Sequence, residues 1–248
     1  MVMRLGALLV GFLALFVSGA QAAEVRVAVA ANFTEPAREI ARLYEARSGH
    51  KVTLSFGSSG QFYAQIRQGA PFDVFLSADA ERAQAAEAAG LTAPGSRFTY
   101  AVGRLVLFRR EGGPIADGAA LLRAGDFERL SIADPATAPY GVAAVETLRS
   151  LGLYDRLSGR LVQGGSITQA FQFAATGAAE LGLVALSQVM GRTEGDHWIV
   201  PERLHSPIVQ QAVLLKRGQG NAAATGFAAF LKGPEARAVI RRYGYQTP

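Results

Sequence analysis

The stretch 25-VRVAVAANFTEPAREIARLYEARSG-49 sets the fold. Its first six residues, 25-VRVAVA-30, are a short apolar and β-branched run and read as a strand. After it, Ala37, Ile40, Ala41 and Tyr44 recur at i, i+3, i+4 and i+7, one face of a helix. Asn32 is the expected N-cap, Glu35 three residues on completes a capping box, and Pro36 suits a first turn. Gly49 is the expected stop. Working outward, a strand 51-KVTLSF-56 follows, then 57-GSSG-60, then a helix from Gln61 to Arg67. Next come a strand 72-FDVFLS-77 and a helix opened by Asp79. Strand, helix, strand, helix predicts a parallel sheet with right-handed crossovers.

The pattern then repeats. A longer β run, 100-YAVGRLVLFRR-110, leads into a polar, Gly-rich break. Beyond it lie a strand 130-LSIA-133, a loop 134-DPATAPYG-141 and a helix 142-VAAVETLRSLG-152. A capped helix within 165-GSITQAFQFAATG-177 precedes a strand 181-LGLVAL-186. The segment 208-IVQQAVLL-215 is β-like, and helices over 222–231 and 234–243 close the chain. Two α/β units, with the strands near 100 and 210 as crossings, predict a two-lobed protein. Each lobe is a mostly parallel sheet flanked by helices. The division expected is 23–103 with 212–248 for lobe I and 104–211 for lobe II.

The first 22 residues have a different character. Arg4 precedes an apolar run from Leu5 to Val17, and 20-AQA-22 is a small-x-small cleavage site. This is the pattern of a cleaved secretory signal peptide, too short for a comfortable membrane span. The mature chain is therefore expected in a bacterial periplasm. With no cysteine, there is no disulfide framework, no thiol nucleophile and no Cys-attached lipid. His50, His197 and His205 show no metal-ligand spacing, so no metal cation and no cofactor is expected. The 25 Lys and Arg against 20 Asp and Glu are scattered singly apart from a few pairs. That is a solvated surface rather than a nucleic-acid stripe.

In open α/β sheets, ligands sit beyond the carboxyl ends of the strands, where helices begin. Four such junctions stand out: 31-ANFT-34, 57-GSSG-60, 138-APYG-141 and 164-GGSIT-168. None contains Lys, Arg or His. They offer Asn32, Ser58, Ser59, Tyr140, Ser166, Thr168 and unencumbered backbone N–H groups. A helix N-terminus has up to four unpaired N–H donors and a partial positive charge. Several converging would hold a compact oxyanion without a cationic side chain. The bland alternative is that these are ordinary caps and turns. There is no P-loop and no G-x-S-x-G elbow, and no histidine stands in these loops to activate a serine. Asp73, Asp79 and Asp134 each lie within or cap an element, a structural setting rather than an acid/base one. Phe98 and Tyr100, which open a β run, are expected to pack near the hinge.

At these junctions the sequence resembles the periplasmic molybdate-binding proteins of ABC transporters. The matching residues include 28-AVAANFTEP-36, 55-SFGSSGQFYAQIRQGAPFDVFLSAD-79, 95-GSRFTYAVGRLVLF-108 and 134-DPATAPYG-141. Further matches are 180-ELGLVALSQ-188, 207-PIVQQAVLL-215 and 232-KGPEA-236. They run in order over essentially the whole mature chain. The resemblance implies a type II periplasmic binding fold closing on molybdate or tungstate, held by neutral hydrogen bonds from both lobes. Carried over by position, it implies that Asn32 and Ser59 donate from lobe I through backbone and side chain. Tyr140 and Ile167 would donate backbone N–H groups from lobe II, with Ala31 and Ser58 beside the site. Ala185 stands where some members carry a tyrosine hydroxyl, so that donor is missing here. Tyr140 stands where those members have a small residue.

The function expected is a monomeric receptor, not an enzyme, that hands molybdate to a membrane permease. The alternatives are a same-fold receptor for sulfate, thiosulfate or an organic acid, a secreted serine hydrolase using Ser59, and a structural module.

Overall fold

The computed structural model describes residues 22–248. The expected signal peptide thus lies, except for Ala22, outside the described residues. The first half of the chain forms β1 (Glu24–Ala30), α1 (Thr34–Ser48), β2 (Lys51–Gly57), α2 (Ser59–Arg67), β3 (Val74–Ser77), α3 (Glu81–Ala88) and β4 (Phe98–Gly103). It then crosses to β5 (Leu105–Arg109), α4 (Gly118–Ala124), β6 (Leu130–Ala133), α5 (Pro139–Ser150) and α6 (Tyr154–Leu157). β7 (Leu161–Gly164), α7 (Ile167–Ala175), β8 (Leu181–Ala185), α8 (Leu186–Val189) and β9 (Asp196–Ile199) complete that half. The chain returns as β10 (Ile208–Leu214), followed by α9 (Ala222–Leu231) and α10 (Pro234–Arg242).

These strands make two five-stranded sheets, ordered β2-β1-β3-β10-β4 and β7-β6-β8-β5-β9. In the first, β1 lies parallel between β2 and β3, and β10 runs antiparallel between β3 and β4. In the second, β6 lies parallel between β7 and β8, and β5 runs antiparallel between β8 and β9. The two lobes therefore share one plan. Each sheet contains one antiparallel strand delivered by a crossing, β10 in the first and β5 in the second.

Strands paired on both edges and covered on both faces must be apolar throughout. β3, β6 and β8 are buried at every residue. One apolar cluster sets Val25, Val27 and Val29 against Ile40, Phe227 and Ile240 of α1, α9 and α10. Phe62, Ile66 and Phe75 cluster on the opposite face of that sheet. The second lobe packs α5 and α7 around Leu105, Ile132 and Leu183.

Several expectations change in detail. The single β run over 100–110 is two strands in different sheets, broken at Arg104. The other crossing, 200–207, precedes Ile208, so a division at 211/212 cuts through β10. Asn32 is not an N-cap: residues 31–33 form a 3-10 turn and α1 starts from Phe33 without a side-chain cap. The expected helix stop holds, with Gly49 left-handed. α2 begins at Ser59 rather than Gln61, because Ser58 and Gln61 form the capping box there. α3 begins at Glu81, and Asp79 caps it by accepting from the Arg82 N–H at 3.0 Å. α5 begins at Pro139, whose ring suits a first helical turn. The short elements β7, β9, α4, α6 and α8 were not anticipated.

Candidate functional site

The four junctions meet. Ala30 ends β1 and Ala31 and Asn32 follow it; Gly57 ends β2 and Ser58 and Ser59 follow it; Ala138, Pro139 and Tyr140 open α5; Ile167 opens α7. Together with Ala78 after β3, they line one small cavity between the sheets. Ala78 is a wall residue that the sequence reading missed. Ser166 and Thr168 are not among the lining residues. Ser166 accepts from the Gln169 N–H as the α7 cap, and Thr168 Oγ1 donates to the Ala31 carbonyl at 3.3 Å.

Three of these helices (α2, α5 and α7) have nine residues or more, and all begin at the cavity. Their first N–H groups have no carbonyl one turn back, so they remain as donors with a partial positive charge. At α5 the first helical residue is Pro139, which has no N–H, so Tyr140 carries the first one. Ser59 is 1 % exposed, and its Oγ accepts from the Ala78 N–H at 2.9 Å. That bond fixes the oxygen and leaves the hydroxyl hydrogen for a ligand. Ser58 Oγ accepts from the Gln61 N–H at 3.4 Å, and Gln61 Oε1 accepts from the Ser58 N–H at the same distance.

Asn32 departs from expectation. Its side-chain amide donates to Gln210 Oε1 and to the Tyr245 hydroxyl, both at 2.9 Å. Both amide hydrogens are taken, which leaves the backbone N–H as the available donor of Asn32. The Tyr140 hydroxyl also points elsewhere. It lies 3.4 Å from Gln210 Nε2, and a Cβ built on Gly103 would sit 2.1 Å from it. Only a glycine at the first crossing leaves room for that hydroxyl. Burial pushes the phenols of Tyr100 and Tyr140 well above the ordinary tyrosine value, and that of Tyr245 up to about 12. All three stay protonated at neutral pH and can donate. Phe98 is half-buried, while Tyr100 is buried between Ser77 O and Gln210 Oε1, at 3.2 and 3.0 Å.

Among the described residues, no Lys, Arg or His lines the cavity. Arg82 stands outside it, paired with Asp79, with Nη2 donating across the cleft to the Ala136 carbonyl at 3.2 Å. Beside it the Gly60 N–H donates to the Thr137 carbonyl at 2.9 Å. The lobes are thus bonded to each other across the cleft. His50, His197 and His205 lie apart: His50 Nδ1 accepts from the Ala23 N–H, His197 is in β9, and His205 Nδ1 is beside Ser206 O. A buried, neutral set of fixed donors can bind an anion by hydrogen bonds, without a proton transfer or a nucleophile.

A family model for bacterial extracellular solute-binding proteins matches residues 25–246. Molybdate-binding protein ModA of Rhodobacter capsulatus is 55 % identical over 228 residues, 92 % of this chain and 90 % of that protein. ModA of Azotobacter vinelandii is 54 % identical over 234 residues, with 93 % of each covered. The solved Azotobacter vinelandii periplasmic molybdate-binding protein superposes with a TM-score of 0.87 at 40 % identity, covering 90 % of this chain and 99 % of that one. Two mixed sheets with a cavity between them, and these relatives along nearly the whole length, place the chain in the family of bacterial extracellular solute-binding proteins, with the ModA proteins among its relatives.

Proposed function

We propose that the chain is the periplasmic receptor of a molybdate ABC transporter: it closes two lobes on molybdate, and on tungstate, and delivers the anion to the permease. The carrying observation is the convergence of four uncharged junctions, two from each lobe, on one cavity between the sheets. In this reading the donors are the backbone N–H groups of Asn32, Ser59, Tyr140 and Ile167 and the Ser59 hydroxyl. Ala31 and Ser58 complete the wall. The lobes are those of the two sheets, hinged at Arg104 and over 200–207, and the receptor is a monomer.

The mechanism follows from differential contact. An anion touching donors of one lobe gains only part of its hydrogen bonds. Closure brings the other lobe's N–H groups to it, so the bound anion favours the closed state. Fixed backbone donors cannot follow a smaller ion, and so discriminate against sulfate by size. Every assigned ligand group donates, so a protonated phosphate would find no acceptor for its hydrogen. Ser59 has Ala78 N–H as its neighbour and no base beside it, which supports a receptor rather than a hydrolase.

Thermal unfolding of the dialysed mature chain with molybdate, tungstate, sulfate, phosphate and chromate tests this. Molybdate at about 100 times its dissociation constant adds about 2.7 kcal/mol of stability, as does tungstate, and both raise the melting temperature. A shift with sulfate of the same size would move the assignment to another oxyanion. No shift with any anion would reject the receptor.

A further inference from the structure

The polar groups behind the cavity form a closed network that binding alone does not require. Asn32, Gln210, Tyr100, Tyr140 and Tyr245 are each 5 % exposed or less, and Ser187 is 7 % exposed. Residue 32 is gripped at both ends. Its side chain donates to Gln210 and Tyr245, and its carbonyl accepts from Ser187 Oγ at 2.8 Å and from the Tyr245 hydroxyl at 2.7 Å. Tyr245 and Ser187 also touch each other, at 2.9 Å. Three of these links run between lobes: Ser187 in α8 reaches both Asn32 after β1 and Tyr245 near β4, and Gln210 in β10 reaches Tyr140 in α5.

Tyr245 enters this network from the last residues of the chain. Gln246 pairs with Val102 of β4 through both backbone groups, at 2.8 and 3.1 Å, which straps the tail beside the first crossing. The Tyr245 ring packs edge-on against Phe33, 5.4 Å between centroids. A tail that only needed to cover the core could do so with a phenylalanine. A hydroxyl at this depth is costly unless it is fully bonded, and here it meets three partners.

We infer that Tyr245 is a positioning residue for anion binding: its hydroxyl holds Asn32 so that the residue 32 N–H faces the cavity, and links that residue to Ser187 of the opposite lobe in the closed form. The inference rests on the receptor reading above. Removing the hydroxyl leaves the Asn32 amide and Ser187 each short of a partner. The donor loop then loses its fixed direction, and closure loses part of its link.

Tyr245→Phe is the test, with Tyr44→Phe as control. Tyr44 is also buried, and its hydroxyl donates to the Ala223 carbonyl at 2.9 Å on the outer side of lobe I. Tyr245→Phe loses its hydroxyl's contacts to Asn32 and Ser187, Tyr44→Phe loses one buried hydrogen bond, and both lose some thermal stability. Only Tyr245→Phe should weaken molybdate binding, by about tenfold and through faster release, while Tyr44→Phe binds as the parent does. If Tyr245→Phe does not fold, Ser187→Ala removes the cross-lobe bond from the other side and should weaken binding in the same direction. Parent-like affinity in Tyr245→Phe, or an equal loss in Tyr44→Phe, overturns the inference while leaving the receptor standing. A parent protein that binds no molybdate would reject the receptor reading and this inference with it.

Discussion

Gly60→Val should weaken molybdate binding by more than about a hundredfold while leaving the unliganded protein close to its parent stability. Gly60 sits in the first turn of α2, and its N–H donates to the Thr137 carbonyl of the other lobe. A Cβ at residue 60 would stand 3.0 Å from both Thr137 Cα and Thr137 O. Backbone meets backbone there, and neither can rotate aside. Within lobe I valine is no worse a helix former than glycine, and the added Cβ meets Arg82 Nε, at 3.1 Å on a flexible side chain that can move aside. The collision with the Thr137 backbone exists only when the lobes are shut. A hundredfold loss corresponds to about 2.7 kcal/mol, a moderate demand for forcing a valine between two packed backbones. Titration calorimetry together with melting of the unliganded form would check it. A variant that binds within about twofold of the parent would show that closure does not bring these backbones together.

Ser59→Ala should weaken binding by roughly 10- to 150-fold, the range of a hydrogen bond to a charged group. The Ser59 oxygen is held by the Ala78 N–H, so its hydrogen is directed without further ordering, and the deletion also leaves that N–H without its partner. Ser58→Ala is the informative comparison. Ser58 lines the same cavity, yet its oxygen caps α2. Its loss should cost about 1 kcal/mol of stability and less affinity. Binding of both variants, measured beside their melting, would be incompatible with the assigned roles if Ser58→Ala lost the more affinity.

The cavity wall was legible because each junction announces itself locally. A short apolar run stops, and a glycine, a small hydroxyl residue or a proline opens a helix. Those cues pointed to Asn32, Ser58, Ser59 and Tyr140, which line one space, and to Ser166 and Thr168, which do not; Ile167 came from the family resemblance. They could not show what Asn32's side chain does, because Gln210 and Tyr245 are 178 and 213 residues away in sequence. One cue did exist. In 208-IVQQAVL-214, residues 208, 210 and 212 share one buried face, so Gln210 is a polar side chain among apolar neighbours. A buried glutamine needs partners, and that alone points to a network. The return into β10, Ile208–Leu214, carries no break as sharp as the one at Arg104, so its start is hard to read from sequence. β7 and β9, four residues each, are too short for periodicity to declare.

The central claim is that a cavity without cations selects one oxyanion by the reach of fixed donors. The most direct measurement is a calorimetric titration of the mature chain with molybdate, alone and in a large excess of sulfate. One molybdate should bind per chain, with the apparent affinity changed by less than about twofold in sulfate. Displacement of molybdate by sulfate at comparable concentration would contradict it.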